Sequence, residues 1–149
     1  MKNRDYTRRL FLAISRIDGV YYLLGKKSGI KENVLVLLYA LDDGVPRTQK
    51  QICEEWNIPK TTINTSVKEC VAAGYVDYVS GNDGREKKLI LTDSGKNYTR
   101  EVLGSVESLE NKVIKKVLSQ CGSEFIEALE QYADIFQSEA EKILSENPK

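Results

Sequence analysis

A short polar run after Pro59 carries the side chains best suited to contacting nucleic acid. Residues 60–73 place Ile63, Val67 and Cys70 at helical spacing, which predicts a helix with one face on a core and the other exposed. An α-helix fits the major groove of duplex DNA, and residues near its N-terminus reach base edges. The predicted exposed face consists of Lys60, Thr61, Thr62, Asn64, Thr65 and Lys68.

Each of these side chains has a specific chemistry toward DNA. Asn64 can make paired hydrogen bonds to adenine, and threonine hydroxyls and methyls can meet phosphate or thymine. Lys60 and Lys68 are better suited to phosphate than to base edges. Because Thr, Asn and Lys are also ordinary on a solvated helix, the DNA-binding interpretation depends on the segment that follows.

That segment is a predicted β-hairpin with a long polar tip. Residues 75–79 and 87–91 are rich in β-forming side chains, and a Gly-Asn-Asp-Gly sequence between them predicts a turn. The cations at this tip are Arg85, Lys87 and Lys88. An arginine at such a tip suits the narrow minor groove, and Asp83 is predicted to pair with Arg85 and orient its guanidinium. The alternative is a solvated turn with a weak surface ion pair.

A further short helix is predicted just before the polar run. The Thr48 hydroxyl and the Gln51 side chain form the pattern of a capping box, so the helix is expected to begin there. Ile52 and Trp56 are predicted to face the core, and the break at Asn-Ile-Pro precedes the next helix. Before Thr48, Pro46 permits only a short edge strand. Two short helices followed by a hairpin predict a winged helix-turn-helix.

Longer amphipathic helices are predicted on both sides of this region. Apolar residues recur at steps of three and four over residues 6–26, and a second, more apolar helix covers residues 31–41. Thr92 is predicted to cap a third long helix, which is interrupted at Cys121 before the last one. The apolar stripes exceed what one small core can use, which favours a homodimer.

The predicted fold is therefore mainly α with a small β-hairpin wing (α+β). It is a winged helix-turn-helix flanked by N- and C-terminal dimerisation helices. Residues 1–43 form the N-terminal helices, residues 44–95 the DNA-binding region and residues 96–149 the C-terminal helices. All three are expected to form one structural domain.

The composition excludes several classes of function. The chain contains no histidine, so His-based acid–base catalysis and His-bearing metal sites are ruled out, and we expect no enzyme activity, metal or cofactor. Cys53, Cys70 and Cys121 form no CxxC pair, which is typical of reduced intracellular thiols. No apolar run approaches the roughly 18 residues of a membrane span. We therefore expect a cytoplasmic protein that has no membrane partner.

Formal net charge is zero, but the charges are unevenly placed. Residues 101–149 hold the acidic excess, whereas residues 1–43 and 44–100 are each mildly basic. Such an asymmetry can direct one face of a molecule toward phosphate.

Two stretches of the chain carry a recognisable motif. Residues 83–85 read Asp-Gly-Arg, and residues 89–95 read Leu-Ile-Leu-Thr-Asp-Ser-Gly. Together with Ile-Pro-Lys-Thr-Thr-Ile at 58–63 and Gly-Tyr-Val at 74–76, they resemble MarR-type (multiple antibiotic resistance regulator) proteins. The similarity is to that family's Asp-x-Arg wing, its Leu-Thr-x-x-Gly segment, and its recognition helix and exit.

The resemblance implies a homodimer on a palindromic operator in double-stranded DNA, often repressing its own operon and responding to a small molecule. By position it places Arg85 in the minor groove with Asp83 as its orienting residue. It turns four residues toward the major groove: Thr61, Thr62, Asn64 and Thr65. Position 65 is often basic in such proteins and is threonine here, so more of the affinity is expected from the wing and from phosphate contacts.

An effector pocket is implied between the dimer helices and the DNA-binding region. The aromatic candidates for its wall are Tyr21, Tyr22, Tyr39 and Trp56. Ordinary packing is the alternative role for all four. Among the thiols, Cys70 is predicted to be buried, and Cys121, near Lys115 and Lys116, is the candidate for redox sensing.

The sequence thus predicts a dimeric, sequence-specific DNA-binding transcription regulator, acting as a repressor that a small molecule can relieve. A winged-helix protein-interaction module that does not read DNA is the first alternative. A thiol-based redox-responsive regulator is the second.

Overall fold

The computed structural model of the chain describes residues 2–81, 84 and 86–145. Over these residues, helices and strands follow the predicted order, and the mainly helical fold with a small hairpin is confirmed. The helices are α1 Lys2–Ser28, α2 Glu32–Leu41, α3 Gln49–Glu55, α4 Lys60–Ala72, α5 Asp93–Cys121 and α6 Glu124–Ser145. The strands are β1 Val76–Ser80 and β2 Lys87–Leu91, which pair antiparallel.

The hydrophobic core lies among α2, α3, α4 and the hairpin. Leu37 and Leu38 of α2, Ile52 of α3, Ile63 of α4 and Leu89 of β2 are each fully buried there. α2 is apolar around most of its circumference because it contacts α1, α4 and β2. Burying side chains of this size stabilises the folded state by roughly 1.5–3 kcal/mol each. Packing against this core therefore fixes the positions of α4 and the hairpin.

The predicted capping box at the start of α3 is confirmed. Thr48 Oγ1 accepts a hydrogen bond from the Gln51 N–H at 3.1 Å, and the Thr48 N–H donates to Gln51 Oε1 at 2.8 Å. The prediction that Trp56 faces the core is wrong, because α3 ends there and the side chain is 40% exposed. Its ring instead lies edge-on to Tyr39, with 5.6 Å between centroids.

The turn between α3 and α4 is set by backbone conformation. Asn57 has φ 48°, in the left-handed region that asparagine tolerates better than most residues. The next N–H, that of Ile58, donates to the Cys53 carbonyl at 3.0 Å, and Pro59 then stands directly before α4. This turn fixes the direction in which α4 leaves α3.

The short edge strand predicted near Pro46 is reduced to a single bridge. Arg47 N–H donates to the Leu89 carbonyl at 3.2 Å, and Leu89 N–H donates to the Arg47 carbonyl at 2.7 Å. A proline removes one donor from any ladder, so the pairing does not extend in that direction.

The chain divides into two compact units, Met1–Val106 and Glu107–Lys149. In the second unit, α5 ends at Cys121 and α6 starts at Glu124, as the predicted break requires, with Gly122 at φ 71°. None of the described residues of α6 is buried, although several of its side chains are large and apolar. Within the described part of the chain, the helices are too short or too polar to cross a bilayer.

Candidate nucleic-acid interface

The candidate interface is built on α4, which presents one polar row to solvent. Ile63 and Val67 are fully buried and hold the helix on the core. On the opposite side Thr61, Thr65 and Lys68 recur at steps of four and three, and all three are exposed. We call these three residues the outward row.

The other predicted contacts on α4 lie beside this row. Lys60 and Asn64 are exposed, as predicted. Thr62 is half-buried rather than exposed, because it lines a polar groove between the start of α2 and α4. Its carbonyl accepts a hydrogen bond from the Ser66 hydroxyl at 3.3 Å.

The hydroxyl of Thr65 has a defined direction. It donates to the Thr61 carbonyl at 3.1 Å, which uses its only proton. Its oxygen can therefore act toward an incoming ligand as an acceptor, beside a methyl group. In the major groove, acceptors match the exocyclic amines of adenine and cytosine, and methyls match the thymine methyl.

An ion pair outside the predicted site borders the same groove. Lys31 Nζ lies 2.7 Å from Glu69 Oε1, joining the start of α2 to α4. The two residues are 38 positions apart, so no local sequence pattern links them. Both were missing from the predicted site.

The two described cations of the hairpin, Lys87 and Lys88, differ in direction and in exposure. The strand register pairs Ser80 with Lys87 and Val79 with Lys88, so the lysines project from opposite faces. Lys87 is exposed, with its ammonium 5.7 Å from the centroid of the Tyr78 ring, whereas Lys88 is half-buried. Tyr78, itself 40% exposed, was not among the predicted site residues.

The predicted minor-groove pair, Asp83 and Arg85, lies outside the described residues. Among the described neighbours, the Gly81 N–H donates to the Glu86 carbonyl at 2.7 Å, and the Gly84 N–H donates to the Gly81 carbonyl at 3.0 Å.

Arg47 connects the hairpin to the helices. Its guanidinium donates to the Ala40 carbonyl at 2.7 Å, to both Asp43 carboxylate oxygens at 2.7 and 2.5 Å, and to Glu55 Oε2 at 3.1 Å. Its backbone meets Leu89 of β2. We call these five residues the Arg47 cluster.

The charges within the Arg47 cluster stabilise one another. The hydrogen bonds from Arg47, followed by one from the Val45 N–H, lower the pKa of Asp43 from 3.8 to about 2. The same contact with Asp43 raises the pKa of the Arg47 guanidinium. Both groups are therefore charged at any physiological pH. Ionic hydrogen bonds fix Arg47 to Asp43 and Glu55, while its backbone pairs with Leu89 at the base of the wing.

The Leu-Thr-x-x-Gly segment has a structural role at the exit of the hairpin. Thr92 Oγ1 donates to the Gly74 carbonyl at 2.6 Å and accepts from the Gly95 N–H at 2.9 Å, which caps α5 as predicted. The Thr92 N–H donates to the Tyr75 carbonyl at 3.0 Å. A Cβ on Gly95 would lie only 1.9 Å from that same carbonyl oxygen, so the close approach requires glycine.

All four aromatic candidates for an effector pocket lie in the first unit and are exposed to some degree. Tyr39 and Trp56 are brought into edge-to-face contact. Tyr21 and Tyr22 are consecutive on α1, at 39% and 55% exposure. These surfaces are available to contact another molecule or another copy of the chain.

The thiols differ in environment. Cys70 is buried, as predicted, and burial raises the pKa of its thiol to about 11, which opposes reactivity. Cys53 is half-buried and Cys121 is exposed, and all three are free thiols. Among the described residues no group of acidic or thiol side chains has the arrangement of a metal site.

Comparison with known proteins gives consistent matches. A model of the MarR family matches residues 28–86. YwoH, an uncharacterized HTH-type transcriptional regulator of Bacillus subtilis strain 168, is 26% identical over 108 residues, which cover 68% of this chain and 79% of that protein.

Solved structures extend the similarity over most of the chain. NMB1585, a MarR family regulator from Neisseria meningitidis, has a TM-score of 0.74 and 28% identity, covering 94% of this chain and 96% of that one. MarR from Staphylococcus aureus, solved in complex with salicylate and kanamycin, has a TM-score of 0.70 and 21% identity, covering 93% and 95%.

The helix pair α3–α4, followed directly by the β1–β2 hairpin, defines a winged helix-turn-helix protein. The resemblance seen in the wing and recognition-helix motifs is confirmed by the family model and by the structural match to NMB1585. Residues 28–86 thus match the model of the MarR family, and the likeness to MarR family regulators of known structure extends over most of the chain.

Proposed function

We propose that this protein is a homodimeric, sequence-specific repressor that binds a palindromic operator in the cytoplasm. The observation that carries the proposal is the outward row of α4. Thr61, Thr65 and Lys68 are exposed along a helix whose opposite face is fixed in the core. A rigid helix with a short polar row suits insertion in the major groove.

The contacts divide by chemistry. Thr61, Asn64 and Thr65 read base edges, while Lys60 and Lys68 contact phosphates. Thr62, which is half-buried, contributes through the position of its backbone and its methyl group.

The wing supplies the second contact. Arg85 enters the minor groove and Asp83 orients it, in keeping with the resemblance on which that assignment rests. Lys87 and Lys88 project to opposite faces, so at most one of them contacts the same phosphate strand as Arg85. We assign that role to Lys87, the exposed one of the two.

Dimerisation follows from the apolar surface of the terminal helices. In α1, Phe11 and Ile17 are 69% and 54% exposed; in α6, Phe136 and Ile143 are 64% and 73% exposed. Such side chains are stabilised when a second copy covers them, and a two-fold dimer would present two α4 helices to a palindrome.

A small-molecule effector would regulate this dimer. The exposed aromatic residues Tyr21, Tyr22, Tyr39 and Trp56 offer flat apolar surface to such a compound. The Staphylococcus aureus relative binds salicylate and kanamycin. We therefore propose a small aromatic compound as the class of effector for this chain.

The DNA-binding proposal is tested by selecting duplexes from a random library with wild-type protein and measuring anisotropy across salt. Thr61→Ala is expected to weaken the selected duplex by about 1–3 kcal/mol and to relax one base position. Arg85→Ala is expected to weaken binding and to reduce the slope of log K against log salt, which is about 0.9 per phosphate contact. Lys112→Ala, an exposed lysine of α5, is the matched control and should change neither.

If no duplex is enriched, DNA reading is refuted, and the interaction-module alternative takes its place. If a duplex is enriched but Thr61→Ala and Arg85→Ala bind it as wild type does, the protein binds DNA through another surface.

A further inference from the structure

α4 contains a single acidic residue, Glu69, near the DNA-reading surface. It stands one helical turn after Thr65, on the side of α4 that faces the start of α2. One turn is about 5.4 Å along the axis, which is well inside the Debye length of roughly 10 Å at 0.1 M salt. The phosphates that flank a base read by Thr65 would therefore be repelled by an uncompensated Glu69.

The compensating charge is Lys31. Its Nζ lies 2.7 Å from Glu69 Oε1 across a polar groove of about 350 Å³. Besides this pair, the groove is lined by Asn33, Thr61, Thr62, Thr65 and Ser66. The pair thus shares a surface with two of the three outward-row residues.

Two observations indicate that this pair is not there for stability. The side chains are 72% and 42% exposed, and exposed ion pairs contribute little to folding. Lys31 is also the N-cap residue of α2, where it makes no side-chain cap. A lysine there forgoes the cap that Ser, Thr, Asp or Asn provides, and its charge opposes the helix dipole.

We propose that Lys31 is a positioning residue for DNA recognition, which neutralises Glu69 and holds its carboxylate against the Lys31 ammonium. The proposal rests on the DNA-binding function proposed above. With the pair formed, DNA meets the threonines of α4 without a net negative charge beside them. With the pair broken, Glu69 opposes the approach of the phosphate backbone.

The test is a double-mutant cycle on the duplex selected by the wild-type protein. Lys31→Ala is expected to weaken binding about tenfold at 0.05 M salt and about twofold at 0.3 M, because added salt screens the exposed carboxylate. Glu69→Gln is expected to bind at least as tightly as wild type. The double variant should bind within about twofold of wild type, since neither charge remains.

A control separates this effect from net charge and from folding. Lys142→Ala breaks a similar exposed pair, with Glu139 of α6, and makes the same change in net charge. It should not change DNA affinity. The thermal midpoint should be nearly equal for all five proteins, because an exposed pair contributes little to stability.

Three results would overturn the proposal. In the first, Lys31→Ala binds the duplex as tightly as wild type; in the second, Lys142→Ala weakens binding as much as Lys31→Ala; in the third, the double variant stays as weak as Lys31→Ala. The last result would make Lys31 a direct phosphate ligand instead. Failure of the wild-type protein to enrich any duplex would refute the DNA-binding function itself, which is a distinguishable outcome.

Discussion

At the scale of single residues, Thr99 of α5 is a buried polar group without a hydrogen bond. It is fully buried, and its Oγ1 contacts no donor or acceptor among the described residues. A buried hydroxyl without a partner costs about 1–3 kcal/mol because it loses its hydrogen bonds to water. The Thr99 hydroxyl therefore lowers the free energy of unfolding.

Thr99→Val should therefore stabilise the protein. Valine has nearly the same shape and carries no hydroxyl, so we expect the free energy of unfolding to rise by about 1 kcal/mol. Urea denaturation followed by circular dichroism measures the change. Thr7→Val is the control, because Thr7 is exposed and its hydroxyl already donates to the Asn3 carbonyl at 3.0 Å. A loss of stability in Thr99→Val would mean that the hydroxyl is satisfied by bound water.

At the scale of elements, the junction between the hairpin and α5 depends on one close approach. Gly95 lies against the Tyr75 carbonyl, and the ring of Tyr75 stacks on Tyr98 with 4.2 Å between centroids. Thr92 joins the same junction through its hydroxyl. These contacts determine where the wing ends and at what angle the long helix starts.

Gly95→Ala should destabilise this junction strongly. Its new methyl would overlap the Tyr75 carbonyl oxygen, and relief requires backbone movement, so we expect a loss of about 2–3 kcal/mol or more. Gly104→Ala, in the same helix with open space around its Cβ, should instead stabilise by about 0.5–1 kcal/mol. Chemical denaturation of both variants tests the pair. Equal effects would show that helix propensity, rather than the close approach, governs position 95.

The Arg47 cluster makes the free energy of unfolding depend on pH. Because the folded pKa of Asp43 is about 2 and its ordinary value is 3.8, its contribution to stability is present above about pH 4 and is lost as the pH falls toward 2. Asp43→Asn should flatten the stability curve in this window.

Urea midpoints measured between pH 2 and pH 7 check this expectation. Asp5→Asn, which alters an exposed pair with Arg9 at 4.0 Å, is the matched control and should leave the shape of the curve unchanged. If Asp43→Asn keeps the full acid sensitivity of wild type, the Arg47–Asp43 contact does not form in solution.

At the scale of the whole molecule, many large apolar side chains are exposed on α1 and α6, whereas soluble monomers rarely expose large apolar patches. The main core cluster lies among α2, α3, α4 and the hairpin, and none of the described residues of α6 is buried. The proposed dimer would place this surface in contact with a second copy.

Phe136→Glu should weaken that association by about 2 kcal/mol or more, which is roughly thirtyfold in the dissociation constant. Sedimentation velocity over a concentration series measures the change. Gln137→Glu adds the same charge at the next position of α6 and should have little effect. A wild-type protein that stays monomeric at high micromolar concentration would contradict the proposed dimer.

Much of this molecule was determined by its local sequence. The capping box at Thr48 and the break at Cys121 were predicted because each depends on groups within about four residues, and the hairpin was predicted from two neighbouring β-forming segments joined by a polar turn. The outward row of α4 was predicted for the same reason. A helical period together with a buried face leaves only one side for solvent.

Only the tertiary structure decided how distant groups meet. Trp56 stands at the C-terminal end of α3 and is exposed, although the helical period alone placed it on the inward face. The Arg47 backbone pairs with Leu89 of β2, and Lys31 meets Glu69 across 38 positions. Such contacts form only when folding brings separate elements together. No periodicity or turn signal within one element encodes them.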